Sequence, residues 1–233
     1  MIKGIIDSNQ KIVTNGLVLH LDASQLSSYP GTGNTWFDIS GNNRNFTWTS
    51  TPTFGIDGVY YFGTLGKKCT GPASNSFGIN NTSGYTVFLL VKQLTLTQSS
   101  AFKFYSSNGS GLAGRGIFSH CTWEDNIIYF DQGGCCNPDT RTSVASGGLT
   151  SWSIVVFRST VATRSIFKNA SSLVTNSTTA ANINLTTTGV DLAATDEGAT
   201  WNARINGFLV YNRGLSDTEI TQNYNAIKSR FGL

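Results

Sequence analysis

From residue 17 to residue 211 the chain alternates short apolar runs, rich in Val, Ile, Phe and Tyr, with clusters of Gly, Asn, Ser and Thr. The runs are strand-sized and the clusters carry turn chemistry. Many short strands at such spacing fold as a two-sheet sandwich or jelly roll. Leu17, Leu19 and Leu21 alternate with Val18, His20 and Asp22, so one face of the first strand is expected to be buried. Residues 85–91 are apolar on both faces, as a central strand covered on both sides must be. Residues 116–120 and 127–131 flank Trp123, Glu124, Asp125 and Asn126 and read as a hairpin. Residues 59–62, 152–158, 164–168 and 203–211 add further strands. Residues 171–188 read as a loop with one strand-sized run at 183–185.

One helix is legible near the end. Ser216, Asp217, Thr218 and Glu219 form a capping box, in which the Ser216 hydroxyl accepts from the Glu219 amide and the Glu219 carboxylate reaches back. Ile220, Tyr224, Ile227 and Phe231 then fall on one face, and Gly232 ends the helix. It is expected to lie against the edge of the sandwich. Residues 1–14 precede the first strand and read as an arm. Their apolar members Ile2, Ile5, Ile6, Ile12 and Val13 predict a contact with a neighbouring subunit.

A chain of 233 residues is long enough to bury a core without disulfides or metal. Only 12% of the residues are charged, but 39% are hydrophobic and 12% aromatic, which separates the chain from disordered sequences. A formal net charge of +3 with no Lys or Arg run speaks against nucleic acid as a partner. No stretch approaches about 18 apolar residues, so no membrane-spanning helix is expected. The opening residues lack the apolar core of a signal peptide. Together with four cysteines this leads to the expectation of a reducing compartment and free thiols. Cys135 and Cys136 are adjacent, a spacing that disfavours a bridge between them. His120, Cys121, Cys135 and Cys136 are the one set of zinc-type ligands. They lack the paired C-x-x-C spacing, so no metal site is expected from them.

The hairpin is where aromatic, acidic and basic residues gather. Sugars stack their apolar faces on aromatic rings and have their hydroxyls fixed by planar polar groups. Trp123, Tyr129, Asp131 and Arg141 are therefore the candidate glycan-binding residues. Asp125, Asn126 and Asp131 carry the hard oxygen ligands that suit calcium, the one candidate ion. No other cofactor is implied. No Gly-x-Ser-x-Gly elbow or phosphate-binding glycine loop occurs, and His20 and His120 read as structural.

Two segments carry a family resemblance. Asn15-Gly16-Leu17-Val18-Leu19-His20-Leu21-Asp22-Ala23-Ser24 is followed by Trp36-Phe37-Asp38-Ile39-Ser40-Gly41-Asn42. Near the end stands Ile205-Asn206-Gly207-Phe208-Leu209-Val210-Tyr211-Asn212-Arg213-Gly214-Leu215, then Asn223-Tyr224-Asn225-Ala226. Both resemble laminin-G-like, concanavalin A-like jelly-roll domains, especially those in structural proteins of tailed phages and large viruses. Family members often carry a Phe-Asp-Gly-like turn where this chain has Tyr61-Phe62-Gly63-Thr64, without the Asp. The resemblance implies an all-β, two-sheet antiparallel jelly-roll sandwich over residues 15–233, with one short C-terminal helix.

Related jelly-roll glucanases place their carboxylates as Glu-x-Asp-x-x-Glu or a close variant, and none of the 13 acidic residues here follows that spacing. The resemblance, taken with the absence of a catalytic constellation, implies a non-enzymatic virion structural protein, a capsid-decorating or tail-associated subunit of a phage. It would be made in the host cytoplasm, form a homo-oligomer and contact other virion proteins. The alternative is a carbohydrate-binding module attaching to host-surface glycan.

Overall fold

The computed structural model describes residues 11–55, 68–107, 115–178, 181–193 and 201–233, and the backbone of 58–60. Ile2, Ile5, Ile6 and the turn at 61–64 lie outside the described residues. Sixteen strands are found among the described residues. Along the chain they are β1 (Leu17–Asp22), β2 (Thr35–Trp36), β3 (Phe46–Trp48), β4 (Thr53–Gly55), β5 (Gly58–Tyr60) and β6 (Cys69–Ala73). Then come β7 (Tyr85–Gln93), β8 (Phe102–Tyr105), β9 (Arg115–His120), β10 (Ile127–Gln132) and β11 (Arg141–Ala145). The last are β12 (Ser153–Ser159), β13 (Arg164–Lys168), β14 (Ser171–Asn176), β15 (Gly189–Leu192) and β16 (Ala203–Tyr211). A helix, α1 (Asp217–Ile227), follows, with a 3₁₀ turn at Lys228–Phe231.

The strands form two antiparallel sheets of eight. The first runs β14-β13-β12-β7-β16-β5-β4, with β1 also paired to β16; the second runs β11-β10-β9-β8-β15-β6-β3-β2. Alternation sends Val87, Leu89, Val155, Phe157, Phe208 and Val210 of the first sheet inward. They meet Phe102, Phe104, Ile117, Ile128, Phe130 and Leu192 of the second. The Phe102 ring packs 5.3 Å from Phe157 and 5.6 Å from Phe208, which ties the sheets together at their centre. This is the all-β jelly-roll sandwich with one short C-terminal helix that the sequence implies.

The opposite face of the first sheet explains the two-sided apolarity of β7. Phe88, Leu90, Ile154, Val156, Leu209 and Tyr211 point outward and are covered by Val13, Leu215, Ile220 and Ile227. The helix thus lies on the sheet's outer face and not at the sandwich edge, because this second apolar layer needs a cover. Its capping box forms as expected. Ser216 Oγ accepts from the Glu219 amide at 3.2 Å, and Glu219 Oε2 accepts from the Ser216 amide at 2.9 Å.

Val13 is buried; its amide donates to Asn223 Oδ1 and its carbonyl accepts from the Tyr211 hydroxyl, each at 2.8 Å. Ile12 packs beside it, so both residues pack on the outer layer of the first sheet. Residues 171–176 form the edge strand β14, whereas Ile183 is a buried plug and Leu185 makes only a single bridge, to Ser106. No helix among the described residues is long and apolar enough to cross a membrane.

Candidate functional site

Strands β9, β10 and β11 turn Ile117, Ile128 and Phe130 into the core and leave Phe118, His120, Tyr129, Asp131 and Arg141 on the outer face. Register then makes neighbours of them: Tyr129 lies opposite His120, and Asp131 opposite both Phe118 and Arg141. Asp131 is fully buried. Its Oδ1 accepts from Arg141 Nε at 2.5 Å, and its Oδ2 accepts from Arg141 and from Arg115 Nη1, each at 2.7 Å. Two guanidinium groups therefore share the Asp131 carboxylate.

Arg115 Nη1 also lies 2.9 Å from His120 Nε2. An arginine N–H can only donate, so Nε2 accepts and the ring proton sits on Nδ1, 3.1 Å from the Ser99 carbonyl. Trp123 packs edge-on against His120 with ring centroids 4.6 Å apart. The Arg141 guanidinium lies 4.4 Å above the centre of the Tyr129 ring. Burial works against the Arg141 charge, but the Asp131 hydrogen bonds outweigh it and its pKa rises above the ordinary arginine value. The Tyr129 hydroxyl donates to Asp125 Oδ2 at 2.6 Å, which raises the phenol's pKa. Trp123, Tyr129, Asp131 and Arg141 thus form one connected unit. Asp131 acts from behind, as the group that fixes Arg141; Tyr129, Trp123 and Arg141 keep partial access to solvent.

Arg141 is also a wall of a groove of about 570 Å³ between the edge strands β11 and β14. Its lining is uncharged apart from Arg141: Asn137, Ser143, Thr175, Asn176 and Ser177 supply amides and hydroxyls, and Cys136, Pro138 and Val174 supply apolar surface. The wall is held in place from inside. Fully buried Arg164 donates to the carbonyls of Pro138 at 2.8 Å and Asp139 at 2.5 Å, and Asn176 Nδ2 donates to the Pro138 carbonyl at 3.0 Å. Asn137 Oδ1 accepts from the amides of Asp139 and Thr140 and closes the turn.

Cys135 and Cys136 are joined by a disulfide at the head of this turn, which corrects the expectation of free thiols there. The backbone around them departs from regular geometry at Gly133 (φ 69°), Gly134 (φ 141°) and Cys136 (φ 76°), and this turn brings the two sulfurs together. The zinc-type set is dispersed as well. Cys121 points into the core, where burial pushes its thiol pKa up, while His120 faces outward into the arginine network. The calcium candidates face separate partners. Asp125 Oδ1 takes the Ile127 amide, Asn126 Oδ1 takes the Ser146 hydroxyl, and Asp131 is enclosed by its arginines. Among the described residues, no three His, Cys, Asp or Glu side chains are grouped to hold a metal.

The sequence reading missed Arg115 and the β14 residues. Strict alternation would send Arg115 inward with Ile117. The pairing of β8 with β9 shifts register between Phe104 and Tyr105, so Arg115 lines up with Tyr105 and is re-aimed outward. Gly116 permits this, because a Cβ there would run into the Phe104 carbonyl.

No protein-family model and no curated protein sequence matches this chain. Solved structures do. Trypanosoma rangeli sialidase superposes with a TM-score of 0.70 at 15% identity over 92% of this chain and 33% of its own. A mutant of that sialidase displaying trans-sialidase activity gives 0.68 at 17% identity over 95% of this chain and 34% of its own. A structure titled for the dependence of botulinum neurotoxin type C cell entry on two ganglioside molecules gives 0.64 at 14% identity, over 92% of this chain and 52% of its own. The chain spans about a third of the sialidase chains and about half of the toxin chain. The likeness shows the fold, a concanavalin A-like β-sandwich. It also overturns the expectation of a non-enzymatic protein, since the matching structures include sialidases, which are enzymes. That expectation rested on the family resemblance and on the absence of a recognisable catalytic constellation, the carboxylate pair included, and sialidases lie outside the two-carboxylate pattern.

Proposed function

We propose that this chain is a carbohydrate-binding sandwich domain whose site is the Tyr129–Arg141 face and the groove beside it. The observation that carries the reading is Arg141 itself. It is locked by buried Asp131, stacked on a half-buried tyrosine ring, and placed at the wall of a groove otherwise lined by amides, hydroxyls and apolar surface. A sugar needs this combination: a flat surface for its apolar face and fixed donors for its hydroxyls. The Arg141 guanidinium, fixed in place and partly open to solvent, is the group an acidic sugar would pair with. The fold's likeness to a sialidase and to a ganglioside-dependent toxin supports the same class of ligand. The sequence resemblance supports a setting on a virion surface, where the glycan would belong to the host.

The test is a glycan array probed with the whole chain. Acidic glycans should be retained above their neutral counterparts, and Arg141→Met should lose at least about tenfold of that binding. Tyr129→Ala, which leaves the buried ion pairs in place, should weaken it as well. Equal retention of neutral glycans, or unchanged binding in both variants at unchanged melting temperature, would overturn the proposal.

A further inference from the structure

A second cavity, of about 590 Å³, lies on the other side of the molecule's first sheet, between β1, the segments around Gln25 and Ser40, and the end of α1. Its walls are two-natured. Ile12, Leu17, Ile39 and Ile227 make an apolar half; His20, Asp22, Lys11 and Arg230 make a polar one. Asp22 is buried, and its carboxylate is consumed: Oδ2 accepts from Arg230 Nη1 at 2.6 Å and from Gln25 Nε2 at 2.9 Å, while Oδ1 accepts from the Ser24 amide at 3.0 Å. Burial alone would raise its pKa, but His20, Arg230 and Gln25 together hold it well below the usual carboxylate range.

Asp22 thereby fixes Arg230 through one nitrogen. Among the described residues the other two guanidinium nitrogens have no hydrogen-bond partner, and neither has the Lys11 ammonium. The cavity therefore holds two cations against one carboxylate, beside an apolar wall. Arginine's planar fork matches a carboxylate better than it matches a point charge.

We infer that this cavity is a second ligand site, specific for a small organic carboxylate whose apolar body lies on Ile12, Leu17, Ile39 and Ile227. The inference stands independently of the carbohydrate site, because the two cavities share no residue.

The experiment is an amide chemical-shift titration of the whole chain with hexanoate, hexanamide and inorganic phosphate as probes. Hexanoate should shift the amides of Ile12, Asp22, Ile227 and Arg230 and saturate. Hexanamide, which lacks the charge, and phosphate, which lacks the apolar body, should each bind at least about tenfold more weakly. Lys11→Gln, which removes no side-chain hydrogen bond seen in the structure, should weaken hexanoate alone and leave the fold intact. Arg230→Gln should abolish the hexanoate shifts. Equal shifts from hexanamide, saturation by phosphate alone, or hexanoate shifts confined to the Arg141 groove would each overturn the inference.

Discussion

Replacing Asp131 by Asn removes the negative charge from the centre of the arginine cluster while keeping the shape of the side chain. In the native protein that carboxylate is fully buried and accepts three hydrogen bonds from two guanidiniums. Arg115 has a side-chain exposure of 9%, so it would be left as a cation out of water with no carboxylate. Arg141, at 20%, would recover part of its hydration. Removing one partner of a buried pair in this way costs about 3–5 kcal/mol. For a domain of this size that lowers the melting temperature by roughly 6–20 °C. Urea unfolding of the two proteins measures the cost directly, provided the slope with urea stays the same. An exposed pair gives the contrast. Asp217 is 73% exposed beside Arg158. Asp217→Ala should cost no more than about 1 kcal/mol from that ion pair. An Asp131→Asn cost below about 1 kcal/mol would mean that the cluster is not the buried network described, and that Arg141 is not held by it.

The hydrogen bonds from Arg213 pull the Glu219 carboxyl from 4.5 down to about 2, so the stability this pair contributes is fully present above about pH 4.5 and is lost as the pH falls through about 2; Glu219→Gln should flatten the acid limb of the stability curve in that window. Thiol titration of the unfolded chain without reductant should find two reactive cysteines, Cys69 and Cys121, and four after reduction; four without reductant would contradict the Cys135–Cys136 disulfide. Ser216→Ala, which removes the helix cap, should cost about 1 kcal/mol in urea unfolding, and no cost would place the helix's anchoring in its apolar face alone.

Much of the architecture is legible residue by residue. The two-sided apolarity of β7 announces a sheet covered on both faces, and the Ser216–Glu219 capping box fixes where the helix begins. The hairpin cluster is legible because its members are close in sequence and their spacing on adjacent strands brings them to one face. The groove is not legible, because its two walls come from the edges of different sheets: Asn176 meets the Arg141 carbonyl from 35 residues away. β14 itself carries little pattern, since an edge strand with only Leu173 and Val174 packed on the core can be polar elsewhere. Arg115 escapes because a bulge breaks the alternation by which strands are read. The helix's seat on the sheet face follows from Phe88, Leu90, Leu209 and Tyr211, whose apolar outward positions require a cover.

Chemical-shift mapping of the whole chain with sialyllactose asks where an acidic sugar sits. The account predicts saturable shifts at Tyr129, Arg141, Ser143 and Thr175, lost in Arg141→Met, with lactose at least about tenfold weaker. Absence of shifts at those positions, or shifts of equal size with lactose, would contradict it.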